Sequence, residues 1–474
     1  MPLRVLLANS SDKGGGAESV SVRLLDSLSA VDQRAVLVAG ASSGSSSIPI
    51  PNWAERSASA RFLLRGSHRV DELRGQIKGA GTVSKTLAWL AEPVRDTRKR
   101  LGHEDFYFPG TARLLELAPF TPDILHLHNL HGEYFDLREL STLSHQFPTA
   151  VTLHDQWLMT GHCAYSLECQ RWRDGCGKCP HLDTYPAIPR DATEGNLERK
   201  RRILSESRLH VSAPSQWLLN QVPDSILAEG VVGVPRLIPN GVDLSVFSAL
   251  PRAEARDRLK LPPGTPIIVS AANFALSNPY KDWQTLREAL RVVGERSQVR
   301  VLAFAVGESG PPVDVGRVRV EGIARVDDAR VLADWYRSAD VFVQPSAADN
   351  HPLTVLESLA CGTPVVASSV GGIPEQIHHL GGTAGGIQGG VSVELATGVL
   401  VSAGDAPGLA ACLMSLIEDP QRMRRLGMNA AADAKARFDF DRYVSDTLDW
   451  YEEILASEDS SRRDEGAPQA HGAM

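Results

Sequence analysis

The stretch VFVQPSAADNHPLTVLESLACGTPVVA, residues 341–367, reads as strand, loop, short helix, strand. Val341 to Val343 is the apolar run of a buried strand. Pro345 and Ser346 break it. Asn350 or His351 can cap the helix, and Pro352 suits its first position, where a missing N–H is no loss. Gly362 stops the helix, and Thr363 to Ala367 is the next buried strand. Such a unit sets its strands side by side and parallel, so the fold class is α/β.

The loop carries the chemistry. A helix N-terminus offers free backbone N–H groups and a positive dipole end, so the tip from Pro352 to Val355 suits an anion, most simply a phosphate. Asp349 precedes that tip and Glu357 lies inside the helix. The two carboxylates stand eight positions apart and can face opposite ends of one ligand.

The rest of the chain repeats the alternation. Arg4 to Ala8 is a strand, Asn9 to Gly16 a glycine-rich loop, and Ala17 to Leu28 carries apolar residues at helical spacing. Strand, glycine-rich turn and helix in this order are what phosphate-binding folds use. Asp123 to His128 is a strand whose end gathers His126, His128 and His131. Ala150 to Leu153 is another, followed at once by His154 and Asp155. Side chains at such strand ends line the ligand crevice of parallel sheets.

A chain of 474 residues exceeds one core and predicts two or three domains. Its net charge of −8 argues against nucleic acid as a partner. No apolar run reaches the ~18 residues of a membrane span. The first residues read as a strand rather than a signal peptide, so a cytoplasmic setting is expected. Four of the six cysteines, Cys163, Cys169, Cys176 and Cys179, fall close together, the last pair as Cys-x-x-Cys. In a reducing compartment a structural zinc is one reading; two disulfides and free thiols are the others.

These motifs resemble glycosyltransferase family 4, the retaining enzymes of the GT-B fold, and within it the bacterial polysaccharide and colanic-acid-type group. In that family the pattern Glu, seven residues, Glu, then a helix ending in Cys-Gly-Thr-Pro-Val-Val binds the nucleotide sugar. Here Asp349 stands where the first Glu is usual, and Glu357 is the second. The resemblance runs from the glycine triplet at Gly14 to about residue 455. It implies two Rossmann-like α/β/α domains facing a cleft: residues 1–245 for the acceptor and 246–438 for the donor. A C-terminal helix, 439–456, would pack back on the first domain, with 457–474 a polar disordered tail.

The resemblance also implies roles. Gly15, Gly16, Ala17 and Glu18 match a stretch that faces the donor, and His154 matches a histidine close to the reacting sugar. Lys281 is one of two cations expected to hold the diphosphate; Asn273 stands where the other, an Arg, is usual. The loop at Gly322 and Ile323, after a strand from Val318 to Glu321, borders the nucleobase. Asn350, His351, Pro352, Leu353 and Thr354 form the phosphate seat, Glu357 takes the ribose, and Asp349 holds sugar hydroxyls. The expected reaction is retaining transfer of a hexosyl group from a UDP- or GDP-sugar to a glycan, lipid-linked or small-molecule acceptor. No catalytic cofactor is expected, because Lys281 supplies positive charge. The alternatives are a nucleotide-sugar epimerase or hydrolase of the same fold, or an inactive binding relative. The basic, partly apolar stretches Arg61 to Arg69 and Arg95 to Arg100 could hold an anionic acceptor or rest on the inner face of a membrane.

Overall fold

Among the described residues, fourteen strands build two sheets. The first is formed by β1 (Arg4–Ser11), β2 (Arg34–Ala41), β3 (Ile48–Pro49), β4 (Ile124–His128), β5 (Thr149–Thr152), β6 (His210–Ala213) and β7 (Arg236–Leu237). The second is formed by β8 (Ile267–Ala271), β9 (Val301–Val306), β10 (Gly310–Val315), β11 (Val318–Ile323), β12 (Val341–Gln344), β13 (Val365–Ser368) and β14 (Gly398–Val401). This computed structural model describes residues 2–465 apart from Ser45 and Ala384, with side chains to residue 460. The strand orders are β3-β2-β1-β4-β5-β6-β7 and β10-β11-β9-β8-β12-β13-β14. β10 pairs antiparallel with β11. Its Pro311 and Pro312 fit an edge, where ladder donors are not needed on both sides.

Two compact units result. One comprises the chain up to Ala213, Leu219–Arg236 and the residues from Thr447; the other comprises Pro214–Leu218 and Leu237–Asp446. In the second unit, successive residues of β8 enter opposite layers, as the two-residue period of a strand requires. Ile267, Val269 and Ala271 meet Val355, Leu356 and Leu359 of the helix Leu353–Ala360. Ile268 meets Leu286, Ala289, Leu290 and Val293 of the helix Trp283–Arg296. Both faces are therefore covered, which is why the strands read as continuous apolar runs. Val355, Leu356 and Leu359 are fully buried; each contributes roughly 1.5–3 kcal/mol. Gly362 closes this helix at φ +74, a conformation glycine adopts freely.

In the first unit, β1 is buried from Val5 to Ala8. The helix Phe440–Glu465 buries Trp450, Tyr451 and Ile454 there. Tyr451 Oη lies 2.6 Å from His126 Nδ1, whose Nε2 lies 2.7 Å from Thr152 Oγ1, and Thr152 and Ser212 hydroxyls lie 2.8 Å apart. The last helix is thus bonded to the middle of the sheet. Against expectation it does not end near residue 456: it stays helical to Glu465, and Glu458 pairs with Arg208 and His210 at 3.5 and 3.3 Å. A helix already anchored by its buried face extends at little further cost, because propagation needs no new nucleus. Residues 466–474 of the expected tail lie outside the described residues. Among the described residues no helix is long and apolar enough to cross a membrane.

Gly371 and Gly372 pack directly on the loop before the helix Leu353–Ala360. A Cβ on Gly371 would lie 1.7 Å from the Asp349 carbonyl oxygen, and one on Gly372 would lie 2.1 Å from that of Asn350. Gly371 also holds φ +56. Gly371→Ala is therefore expected to destabilise the protein by at least ~1–3 kcal/mol, read from urea unfolding. An unchanged midpoint would mean that the loop moves away without resistance.

Candidate active site

After β8 the chain turns into one layer, and after β12 it turns into the other. β8 and β12 are neighbours in the sheet, so the loops at their carboxyl ends flank a switch point of the topology. Open parallel sheets bind ligands at this switch point. The two loops, 272–282 and 345–352, are joined: Ala347 N–H donates to the Tyr280 carbonyl at 2.9 Å, and Lys281 Nζ makes an ion pair with Asp349 Oδ2. Asp349 Oδ2 also accepts from Gln344 Nε2 and Ser346 Oγ, each at 3.3 Å. The Thr354 hydroxyl donates to Gln344 Oε1 at 3.1 Å. One network thus runs from Lys281 to the first turn of the helix.

That helix starts at Leu353. Neither Asn350 nor His351 caps it; Pro352 occupies the cap position and no side chain caps the N–H groups. The reason is that both residues before it are committed elsewhere. Asn350 Oδ1 accepts from Ser215 Oγ. The buried His351 ring meets Gln376 Nε2 at 3.2 Å, and burial first, then Arg442 and Arg437, hold its pKa down to about 3. The uncapped first turn of Leu353 and Thr354 keeps its positive end beside Asp349, as an anion seat requires. Glu357 is buried and accepts from Tyr336 Oη at 2.8 Å. Burial, then Glu357, pushes the Tyr336 phenol well above its ordinary range, so it donates to Glu357 at any physiological pH.

Asn273, at the expected Arg position, has a cation beside it, Arg325, which also pairs with Asp327 at 2.7 Å. Asn273 Oδ1 accepts from Arg325 Nη1 at 3.0 Å. Arg325 follows β11 and carried no motif; only the pairing of β11 beside β9 brings it to this loop. Gly322 and Ile323 belong to β11 rather than to the loop expected there. A Cβ on Gly322 would lie 2.4 Å from Gly310 N, so the close β10–β11 approach requires glycine.

In the first unit the corresponding loops follow β1 and β4, adjacent strands of its sheet. Gly14 holds φ +133, and Gly15 N–H donates to Glu18 Oε2 at 2.9 Å at the start of the helix Gly16–Ala30. Asn129 Nδ2 reaches Glu18 Oε1 at 3.4 Å. His128 Nδ1 and His154 Nε2 lie 3.0 Å apart, and His126 and His128 rings lie 4.1 Å apart between centroids. Burial drives His126 to about 3 and His154 to about 4, so this row is neutral at pH 7. His131 behaves differently: burial opposes its charge, but Asp155 at 2.7 Å outweighs burial and raises its pKa.

The cysteine segment forms no disulfide among the described residues; Cys163, Cys169, Cys176 and Cys179 are free thiols. Burial pushes Cys163 to about 12 and Cys176 to about 11. No group of three or more His, Cys, Asp or Glu side chains among the described residues is placed to hold a metal ion. The segment is instead organised by Lys200, fully buried, which pairs with Glu104 at 2.9 Å and donates to the carbonyls of Trp157 and Thr160.

The histidine row sets a pH dependence. A group whose folded pKa lies below its ordinary 6.5 is protonated more readily when unfolded. Its contribution is complete above about pH 6.5 and is lost as the pH falls toward about 4. The urea midpoint should therefore fall between pH 6.5 and 5, and His126→Gln should flatten that slope. An unaltered slope would place the titration elsewhere.

A family model described as glycosyl transferases group 1 matches residues 265–419. The putative colanic acid biosynthesis glycosyl transferase WcaC of Escherichia coli K12 is 28% identical over 276 residues, covering 55% of this chain and 63% of that relative, a little under two thirds of its length. The D-inositol 3-phosphate glycosyltransferase of Thermobispora bispora is 34% identical over 322 residues, 64% of this chain and 70% of its own. Among solved structures, sucrose-phosphate synthase of Thermosynechococcus elongatus matches with TM-score 0.59 at 19% identity, covering 96% of this chain and 100% of that one. Anabaena Alr3699/HepE in complex with UDP-glucose matches with TM-score 0.57 at 18% identity, over 96% and 100%. These likenesses identify the fold as GT-B, with its two parallel-sheet α/β domains. With the sequence similarity to the Thermobispora enzyme they lead to one assignment: this chain belongs to glycosyltransferase family 4, the group 1 glycosyl transferases, and is a glycosyltransferase.

Proposed function

We propose that this glycosyltransferase moves a hexosyl group, with retention of configuration, from a nucleoside diphosphate sugar to a glycan, lipid-linked or small-molecule acceptor. The observation that carries this reading is the joined pair of loops at the switch point of the second sheet. There the Lys281–Asp349 ion pair stands next to the uncapped helix end at Leu353. A bound diphosphate would draw Lys281 to itself and sit against the first-turn N–H groups. Asp349 would then turn to the sugar hydroxyls. Charge growing on the leaving diphosphate would be met by fixed positive groups, which need no reorganisation in the transition state. Arg325, held by Asn273, would supply the second cation. Tyr336 would orient Glu357 toward the ribose. From the first unit, Gly15 and Gly16 are assigned to the donor and His154 to the sugar and acceptor. The leaving phosphate would take the acceptor proton on the same face, so that no side-chain nucleophile and no catalytic metal enters.

UDP is the first donor base to test, since the solved Anabaena relative holds UDP-glucose and the matched relatives include D-inositol 3-phosphate glycosyltransferases. Thermal melting with UDP and GDP should rise for one of them, as binding to the folded state alone stabilises it. A charge-assisted contact is worth roughly 1.5–3 kcal/mol, so Lys281→Ala should lower turnover about tenfold to over a hundredfold. Arg325→Ala should show a loss of similar size, mainly in donor KM. Activity of Lys281→Ala within twofold of the parent would reject its role. Retention is read directly from product NMR: an α-linked donor should give an α-linked product, and a β-linked product would overturn the mechanism.

A further inference from the structure

The first unit contains a cavity of about 320 Å3 lined by Arg95, Arg98, Lys99, Arg138 and Arg199 with the rings of Phe106 and Tyr107. It is at the small end of the roughly 300–1,000 Å3 of small-molecule sites. The cations come from three separate places: the helix Pro93–Arg100, the residue before the helix Glu139–Gln146, and the helix Thr193–Ser205. Only the fold collects them.

Most of these charges are already matched. Arg95 pairs with Glu92 at 2.6 Å and with Asp105 at 2.5 Å. Lys99 pairs with Glu133 at 2.6 Å and Arg138 with Asp136 at 2.5 Å. Glu104, the remaining carboxylate of the lining, is taken by Lys200 at 2.9 Å. Arg98 and Arg199 make no ion pair among the described residues. Arg199 is half-buried, lies 4.3 Å over the Phe106 ring and donates to the Glu104 carbonyl at 3.0 Å. Burial, and then the nearby Arg98, lower its pKa by more than the neighbouring Glu104 and Asp105 raise it, the response of a guanidinium crowded by like charge. His103, at the same cavity, is lowered by burial and then by Arg199 and Arg98. Two forked cations facing one small space match the geometry of a phosphate better than that of a single carboxylate.

A second cavity, of about 310 Å3, shares Lys99, His103, Glu104, Asp105 and Phe106 with the first and continues to His131 and Trp157. It leads toward the His131–Asp155 pair at 2.7 Å. A ligand can therefore put its anionic end between Arg98 and Arg199 and its hydroxyl-bearing body beside His131.

We propose that the Arg98–Arg199 cavity is the seat for a phosphate carried by the acceptor, so that the acceptor is a phosphorylated sugar or polyol, free or as a lipid headgroup. The anion site stands on its own geometry; calling its ligand the acceptor rests on the transferase reading above.

The test uses the full chain and two probes. UDP is titrated first by calorimetry, which tests the donor reading separately. Inorganic phosphate is then titrated into the UDP-saturated protein, or into the protein alone if UDP does not bind. Saturable phosphate binding is expected in the millimolar range, weakened roughly tenfold by Arg98→Gln. Arg98 is exposed on its helix, so that substitution leaves folding intact even where Arg199→Gln does not. Phosphate binding that is absent up to tens of millimolar, or equal in parent and Arg98→Gln, would overturn the proposal. Vesicles of phosphatidylcholine with and without phosphatidic acid distinguish the source. Co-sedimentation with phosphatidic acid that Arg98→Gln abolishes assigns the site to a lipid headgroup. Phosphate binding without co-sedimentation assigns it to a free phosphorylated acceptor.

Discussion

Two loops meet at the carboxyl edge of the second sheet because β8 and β12 are neighbours whose chains leave toward opposite layers. The helix Trp283–Arg296 enters one layer and the helix Leu353–Ala360 the other. Nothing can fill the gap between the departures except the loops themselves. They close it with a main-chain bond from Ala347 to Tyr280 and with the Lys281–Asp349 ion pair, between residues 68 positions apart. Every other feature of the donor side follows from that constraint. Gly371 and Gly372 let the 349–350 backbone sit close, and Gln344 and Thr354 extend the pair's network to the helix end.

The same physics of buried charge divides the first unit into silent and responsive groups. His126, His128 and His154 lie in a row where burial dominates, outweighing even the pull of Asp155 on His154, and leaves them neutral. His131, a few residues on, has Asp155 beside it, which raises its pKa against burial. Lys200 is fully buried yet tied to Glu104 and two carbonyls, so it pins the turn before the cysteine segment. Breaking such a pair leaves one charge stranded, which costs far more than the pair itself contributes.

Much of the donor side was legible in residues 341–367, because a local strand–loop–helix–strand unit is decided by spacing and by Pro and Gly. The cap was not. Asn350 and His351 have the right chemistry for it, but Ser215 and Gln376 claim their side chains from distant segments. The end of the last helix escapes the sequence for the same reason: polar composition suggests a tail, while the anchored helix and the ion pairs of Glu458 carry it to Glu465. Gly322 read as a loop residue, and only the antiparallel β10 explains it.

Sequence alone determined the alternation of strands and helices, a helix start close to Pro352 and the carboxylates at 349 and 357, because these depend on residues within one turn or one strand of each other. Tertiary structure alone decided which charges meet. Arg325 reaches Asn273, and Arg98 reaches the neighbourhood of Arg199, because strand order and helix packing bring together residues that no spacing connects. Electrostatic partnership depends on distance through space, and distance along the chain says little about it.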